Sequence, residues 1–345
     1  MLSYILKRIA LMLPTLLGAL TVTFAVIQFV PGGPVEQALA QARNRGGGGD
    51  TGGYRARGDS DAKQIEALKK LYGFDKPVHV RYFEMLKNFA GFNLGTSFSQ
   101  NKDVWQLIKE KLPVSISLGI WTFLVSYLIS VPLGILKAVR EGSSFDVIST
   151  LAVLVGYAIP GFVLGVFLIV LFAGGTFWDV FPLRGLTSEN WATLSWPARV
   201  ADYFWHLAMP LTCLVIGSFA TMTFLTKNTF IEEMRKQYVL VARAKGLSQR
   251  RVLWKHIFRN ALIPLVTGFP AAFIGAFFTG ALLIETLFSL DGLGLLGFDA
   301  IVQRDYPVVL GSLYLFTLIG LVVKLVSDVI YTLVDPRVQF GAVGK

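Results

Sequence analysis

Six apolar stretches, each long enough to cross a hydrocarbon layer, divide this chain of 345 residues. They cover approximately residues 9–30, 113–136, 147–173, 205–226, 261–285 and 308–334. A bilayer core of about 30 Å takes roughly 20 apolar residues of helix. No water is available there to pair an open backbone, so each stretch must satisfy its own N–H and C=O groups as a helix. Gly or Pro occurs in every stretch, which spanning helices tolerate when their neighbours re-pair the freed groups. Only 16% of the residues are charged, against about 25% in a soluble domain. The expectation is an all-α integral membrane protein with six transmembrane helices.

The basic start Lys7-Arg8 and the run Ala38-Leu39-Ala40 are features of a cleaved signal peptide. The first apolar run has 22 residues, whereas a signal h-region has roughly 7–15. It is therefore expected to remain as the first span.

Short loops set orientation through their Lys/Arg bias. With the N-terminus inside, the inner segments hold Lys7, Arg8, Lys137, Arg140, nine Lys/Arg between 227 and 260, Arg337 and Lys345. The two short outer loops hold Arg184, Arg199 and Arg304. Trp178, Trp191, Trp196 and Trp205 suit an outer aromatic belt. Both termini are thus expected in the cytoplasm. The net charge of +10 resides in membrane-flanking positions and this one loop, which disfavours nucleic acid as a partner. A single cysteine, Cys213, excludes an intrachain disulfide, and three scattered histidines offer no metal-ligand spacing.

The expected organisation is an N-terminal segment and first span (1–30), an extracytoplasmic loop or cap (31–112), a transmembrane core (113–334) and a cytoplasmic tail (335–345). Within the cap, the Gly/Arg/Asp-rich insert 44–61 cannot bury a core, while residues 61–72 and 77–89 show helical periods. The match Gly292-x-Gly294-x-x-Gly297 is read as a turn between spans. A dinucleotide site would need a strand before it and a helix after it in a βαβ unit.

The loop 227–260 carries nine cations and two acids between two spans. It is expected to form helices over about 231–245 and 249–260. Gly246 can end the first helix in the left-handed region, and Ser248 suits the N-cap of the next. Arg251, Lys255 and Arg259 recur every four residues, with Leu253 and Ile257 on another face. The bland reading is a loop that only sets topology and meets anionic headgroups.

The run from Tyr238 to Leu247 (Tyr-Val-Leu-Val-Ala-Arg-Ala-Lys-Gly-Leu) resembles the coupling loop of bacterial ABC importers in their dipeptide/oligopeptide branch. Other matches span nearly the whole chain: Pro31-Gly32-Gly33-Pro34, Tyr72-Gly73-Phe74-Asp75-Lys76-Pro77, Leu94-Gly95-Thr96-Ser97, Ile284-Glu285, Gly292-Leu293-Gly294, Arg304-Asp305-Tyr306-Pro307 and Asp335-Pro336-Arg337. The Gly-rich insert and Trp254-Lys255-His256 are most similar to the YejB type, associated with microcin C and peptide uptake. The general importer pattern begins Glu-Ala-Ala, where this chain has Leu240-Val241-Ala242, and its Ile-x-Leu-Pro ending is absent at the usual spacing. That departure leaves individual partner contacts open.

The resemblance implies a type I importer permease in the inner membrane, with cytoplasmic coupling helices. It implies as partners a second, homologous permease, one or two ABC ATPase subunits, an extracytoplasmic peptide-binding protein and a peptide substrate. Residues expected to couple to the ATPase are Tyr238, Ala242, Arg243, Ala244, Lys245, Gly246, Leu247, Ser248, Arg251 and Lys255. The chain has no Gly-x4-Gly-Lys-Ser/Thr loop, so ATP and Mg are expected on partner subunits and no cofactor on this one. Glu285, Lys324 and Asp328 lie in or at the ends of spans, where ionisable groups are functional candidates. They are candidate pathway or dimer contacts, and helix locking by Glu285 stays open beside contact with a peptide amine. The alternative class is an ion-gradient-driven transporter or channel, for which only the Lys324/Asp328 pair qualifies. An intramembrane metalloprotease would need His-Glu-x-x-His, which is absent.

Overall fold

A computed structural model describes residues 2–29, 66, 70, 74–175, 177–278 and 281–334. The insert 44–61, most of 61–72 and the tail 335–345 lie outside the described residues. Glu66 and Lys70 are helical and form an i,i+4 ion pair at 3.1 Å. The described residues are helical or irregular, apart from an isolated bridge between Thr96 and Asp103.

Two compact units divide the chain. One comprises residues 5–111 and 296–321. It contains α1 (Leu2–Phe29) from Ile5 onward, α2 (Val78–Ala90) and the start of α3 (Val104–Val139). Tyr82 of α2 joins its hydroxyl to Thr21 of α1 at 2.7 Å and sets its ring 5.3 Å from that of Phe24. Arg81 donates to the Gln28 side chain at 2.7 Å. The buried Asp305 carboxylate accepts from the Ser97 hydroxyl at 2.5 Å and the Ser99 hydroxyl at 2.7 Å. It also accepts from the N–H groups of Phe98 and Ser99, each at 3.0 Å. Two runs singled out in the sequence, Leu94–Ser97 and Arg304–Pro307, are therefore a single hydrogen-bonded joint. Phe74, from a third run, sets its ring 6.3 Å from Tyr306 and 6.4 Å from Phe98.

The other unit comprises residues 1–4, 112–295 and 322–345. It holds the rest of α3, then α4 (Ser144–Ala158), α5 (Gly161–Phe172), α6 (Trp196–Met234) and α7 (Gln237–Ala244). A short α8 (Gln249–Arg251), a π-helical turn (Val252–Ile257) and α9 (Phe258–Ala261) follow. Next come α10 (Ile263–Phe278), α11 (Ala281–Leu287), the start of α12 (Leu293–Val302) and the end of α13 (Tyr306–Val334). Leu118, Leu207, Met209, Cys213, Ile284, Phe288 and Leu290 form one of its cores. Close helix approach is bought with glycine: a Cβ on Gly134 would lie 2.6 Å from Thr226 Cβ and 2.8 Å from the Thr223 carbonyl oxygen. On Gly161 it would lie 2.6 Å from the Cys213 carbonyl oxygen.

Among the described residues, four helices are long and apolar enough to cross a membrane: α1, α3, α6 and α13. A fifth arises if α4 and α5, bent by 90° to one another, count as one span. The expected straight third span, 147–173, is thus broken at Ile159-Pro160. Pro160 lacks an N–H to continue the ladder, and Ile159 before it takes the extended conformation (φ −87°, ψ 116°) that proline favours in its predecessor. The expected fifth span, 261–285, holds α10 and α11 among the described residues, and residues 279–280 between them lie outside those residues. Helices α3 and α6, with 36 and 39 residues, reach about 54 Å and 58 Å and outrun a hydrocarbon core of about 30 Å. Leu151, Val155, Val166, Phe167 and Val170 are exposed along α4 and α5, a surface suited to lipid or to other chains.

Gly134→Ala should destabilise the protein by about 1–3 kcal/mol, because α3 and α6 must separate to admit the methyl group. The readout is a lower midpoint of thermal unfolding of the purified protein. Gly320→Ala, where nothing lies within 4 Å, should not lower it.

Candidate coupling site

The basic loop begins inside α6, which continues through Lys227 to Met234. The sequence had suggested one helix over 231–245, but the chain turns at Arg235-Lys236 and α7 starts afresh at Gln237. Glu233 fastens this corner. It takes the Lys236 ammonium and, at 2.6 Å, the Tyr238 hydroxyl. Burial, reinforced by the hydrogen bond to Glu233, pushes the Tyr238 phenol up to about 12, so it stays a proton donor at physiological pH.

Helix α7 ends where glycine was expected to end it. Gly246 has φ +76°, its N–H donates to the Arg243 carbonyl at 2.9 Å, and the Leu247 N–H reaches back to the Ala242 carbonyl at 3.3 Å. This pair of bonds is a Schellman motif, with Ala242 and Leu247 in its usual apolar contact positions. Ser248 occupies the N-cap position of α8 in extended conformation, yet its side chain makes no capping bond. The second expected helix, 249–260, is present in three pieces. Its centre is a π turn, which Leu253 and Ile257 at α-helical spacing did not announce; it brings Val252 and Ile257, five residues apart, into one core.

That core roots the elbow. Val239 and Ala242 of α7, Val252 and Ile257 of the π turn and Ala261 pack with Ile135 and Ala138 of α3 and Phe230 of α6. Full burial of each larger apolar side chain contributes about 1.5–3 kcal/mol, which fastens the elbow to the inner ends of α3 and α6. The tip is open: Arg243, Ala244, Lys245, Gly246, Ser248, Arg251 and Lys255 are exposed. Among these cations stand Leu240, Val241 and Trp254, exposed by 54%, 51% and 52%. Of the residues expected to couple, Tyr238, Ala242 and Leu247 belong to the root, and the others form the outward face.

Sequence reading missed the group beneath the root. Lys137, fully buried at the end of α3, donates to the Asp146 carbonyl at 2.9 Å, Ser149 Oγ at 2.8 Å and Thr150 Oγ1 at 2.6 Å. It lies 3.1 Å from the Asp146 carboxylate, which also takes Lys227 of α6 at 2.7 Å. Asp146 further accepts the Gly142 N–H at 3.2 Å, while Ser143 caps α4 by accepting the Asp146 N–H. The pattern Ser143-x-x-Asp146 was a capping-box signal that could have drawn attention to this group.

Glu285 lies among helix ends. It is fully buried, accepts the Leu295 N–H in the first turn of α12 at 2.8 Å and the Ser115 hydroxyl at 3.3 Å. A Cβ on Gly292 would fall 2.3 Å from its Oε1, and one on Gly294 3.0 Å from its Oε2. Gly292 and Gly294, the first two glycines of the 292–297 pattern, thus cradle a carboxylate of the chain itself. On α13, Lys324 is exposed and Asp328 half-buried; neither joins the elbow core.

Apolar helices of spanning length and a basic elbow rooted on two of them define the class: a multi-pass helical membrane permease. Residues 130–340 match the family described as the binding-protein-dependent transport system inner membrane component. The chain is 54% identical to the peptidoglycan transport system permease protein YejB of Agrobacterium fabrum, over 98% of both chains. It is 50% identical to the inner membrane ABC transporter permease protein YejB of Escherichia coli O157:H7, over 98% of this chain and 99% of that one. Identity to the di/tripeptide transport system permease protein DppB of Pseudomonas aeruginosa is 33%, over 98% and 99%. An inward-facing structure of the MetNI methionine ABC transporter matches with a TM-score of 0.50 at 16% identity, covering 67% of this chain and 97% of that one, and shows the type I importer permease fold. The chain belongs to the binding-protein-dependent transport inner membrane component family, and it is a multi-pass inner membrane protein.

Asp146→Ala should cost about 3–5 kcal/mol, because it leaves the buried Lys137 ammonium without its counter-charge. Lys137→Met combined with Asp146→Leu should recover much of that loss, since an apolar pair of similar volume needs no charge compensation and the Lys227 side chain, 16% exposed, can turn its ammonium to solvent. Thermal unfolding of both variants beside the parent decides the matter. Equal loss in the single and double variants would show that the ion pair is not what holds the three helix ends.

Proposed function

We propose that this chain is one of two permease subunits of an ATP-driven importer of peptides, and that the exposed face of the 238–256 helices seats in a groove on an ATPase subunit. The observation that carries the reading is the elbow itself: an exposed basic and apolar tip on a root buried against α3 and α6. Such a body can hold two discrete positions and pass motion to the helices it is packed on. Arg243, Lys245, Arg251 and Lys255 would meet acidic groups of the ATPase, while Leu240, Val241 and Trp254 would fill apolar positions in its groove. Tyr238, Ala242 and Leu247 would position that face rather than touch the partner.

The remaining partners follow from this role. A second, homologous permease would complete the pathway, one or two ABC ATPase chains would bind ATP and Mg, and an extracytoplasmic binding protein would deliver the peptide. Both termini would be cytoplasmic, because the elbow must face the compartment that holds ATP. Peptide cargo is supported by relatives named for di/tripeptide and dipeptide transport. A narrower reading, peptides released from peptidoglycan, is favoured by the name of the 54% identical relative. Reconstituted transporter should accumulate a labelled tripeptide only with ATP inside reach of the elbow. Competition by an unlabelled peptidoglycan stem peptide would support the narrower cargo. Uptake that ignores ATP and follows an ion gradient would sink the proposal.

Gly246→Leu should uncouple hydrolysis from uptake. Leucine at φ +76° costs roughly 1–2 kcal/mol, too little to unfold the chain but enough to distort the Schellman turn at the tip. Uptake should fall by at least about tenfold, a change of 1.4 kcal/mol, while ATPase activity and copurification of the subunits persist. Wild-type uptake by this variant would remove Gly246 from the mechanism.

A further inference from the structure

A pocket of about 230 Å³ opens among the end of α1, one face of α2, residues 93–98 and the start of α13, all within one compact unit. The stretches 24–28 and 306–310 that border it are ends of two helices of membrane-crossing length. The pocket therefore lies at the level where such helices leave hydrocarbon for headgroups. Arg81 is the one cation on its wall. The guanidinium donates through Nη2 to Gln28 Oε1 at 2.7 Å, and its carbon lies 4.7 Å from the centre of the Phe74 ring. Its Nε is enclosed without an acceptor, while Nη1, which makes no hydrogen bond, is not enclosed. Among the described residues no carboxylate pairs with Arg81, and burial lowers the guanidinium from its ordinary pKa. Glu84, the one acid on the wall, is already held by Lys76 at 2.6 and 2.9 Å. The neighbouring amides offer donors rather than acceptors. The Gln28 oxygen is taken by Arg81, and Asn93 spends its oxygen on the Gly95 N–H at 3.0 Å, which leaves its NH₂ group to give.

We propose that this pocket holds the phosphodiester of a membrane glycerophospholipid, with Arg81 as its charged donor and Asn93 beside it. A half-buried guanidinium without a counter-ion is costly. A phosphate oxygen supplies the missing anion through a charge-assisted hydrogen bond, the kind of contact arginine makes best. The volume is below the roughly 300–1,000 Å³ that encloses a small ligand, so the pocket takes the end of a molecule whose remainder lies outside. Helix α1 provides a surface for that remainder. Leu17 and Leu13 stand seven and eleven residues before Phe24, on the same face of the helix, and are exposed by 38% and 62%. They lie about 10 Å and 16 Å along the axis from Phe24 towards the hydrocarbon, where the acyl chains of a lipid with its phosphate at Arg81 would run. An acidic side chain of a soluble partner would answer the charge but leave this apolar strip uncovered. An acyl chain alone would cover the strip but leave the guanidinium without an anion.

The test is photolabelling of the full chain, purified from membranes with its companion subunits in a non-ionic detergent. The probe is phosphatidylglycerol with a diazirine on the first carbons of one acyl chain, and crosslinks are mapped by mass spectrometry. They are expected on residues 17–28 and 306–310, and unlabelled phosphatidylglycerol should displace them. On the unaltered protein, a diacylglycerol with the same chains but no phosphate should compete at least about tenfold less well, the effect of one lost hydrogen bond to a charged group. Glycerol 3-phosphate, which has the phosphate without the chains, should fall short by at least as much. Arg81→Met should weaken labelling by a similar factor, and Arg81→Lys, which keeps the charge, by less. Equal competition by the diacylglycerol would make the pocket an apolar crevice, and equal competition by glycerol 3-phosphate would make it a site for free phosphate. Displacement by a soluble Glu-rich peptide would assign it to an acidic protein partner. Each of these results, or crosslinks confined to other segments, would overturn the proposal.

Discussion

A chain threaded through hydrocarbon must pair every buried polar group with another part of itself, because each unpaired one costs several kcal/mol there. Three buried carboxylates among the described residues answer that constraint, and each accepts backbone N–H groups from a loop or from the first turn of a helix. Asp146 takes the Gly142 N–H before α4 and two ammonium groups. Glu285 takes the Leu295 N–H in the first turn of α12. Asp305, just ahead of α13, takes the Phe98 and Ser99 N–H groups. The partial positive charge of unpaired N–H groups favours an anion at such places. Each acid also ties sequence-distant segments, so the same atoms that satisfy the backbone set the helix arrangement within each unit.

The elbow depends on this fastening. Its apolar core needs the inner ends of α3 and α6 at a fixed spacing, since Ile135, Ala138 and Phe230 are shared between those helices and the elbow. Lys137 and Lys227 approach Asp146 from these same two helices, next to the core residues Ala138 and Phe230. Gly134, one turn before Ala138, lets α6 come within contact of the α3 backbone. A charge group, an apolar core and a glycine contact thus hold one joint in three ways. The surface ion pair of Arg235 with Glu141 adds little, being solvent-exposed on both sides.

Much of this was legible in residue order, and the failures have identifiable causes. Long apolar runs announced α1, α3, α6 and α13, because length and hydropathy are what the bilayer selects. Gly246 announced its own left-handed turn, since few other residues adopt that conformation cheaply. The break at Pro160 was readable in principle but was outvoted by the apolar run around it, as proline inside a span is common. The π turn left no trace, because Leu253 and Ile257 fit an ordinary helix equally well. Lys137 was counted as a loop charge that sets topology. Nothing local shows that its side chain folds inward to meet residues 146–150. The Asp305 joint spans more than two hundred residues of sequence; both of its halves were noticed, but no periodicity links them.

The elbow and a cavity of about 530 Å³ between α3 and α6 share their two main helices. Ile135 and Ala138 of α3 sit in the elbow core, and three turns back Thr122 to Tyr127 line the cavity. On α6, Phe230 is in the same core, while Ser218 to Met222 line the same cavity. From Tyr127 to Ala138 is about 16 Å of helix, and Pro132 removes one backbone hydrogen bond midway along it. A displacement of the elbow would act on both helices at their inner ends, and Pro132 is the place between the two where α3 can bend. The cavity walls are thus the parts of α3 and α6 beyond the joint on which the elbow is mounted, with no other helix needed to connect the two places.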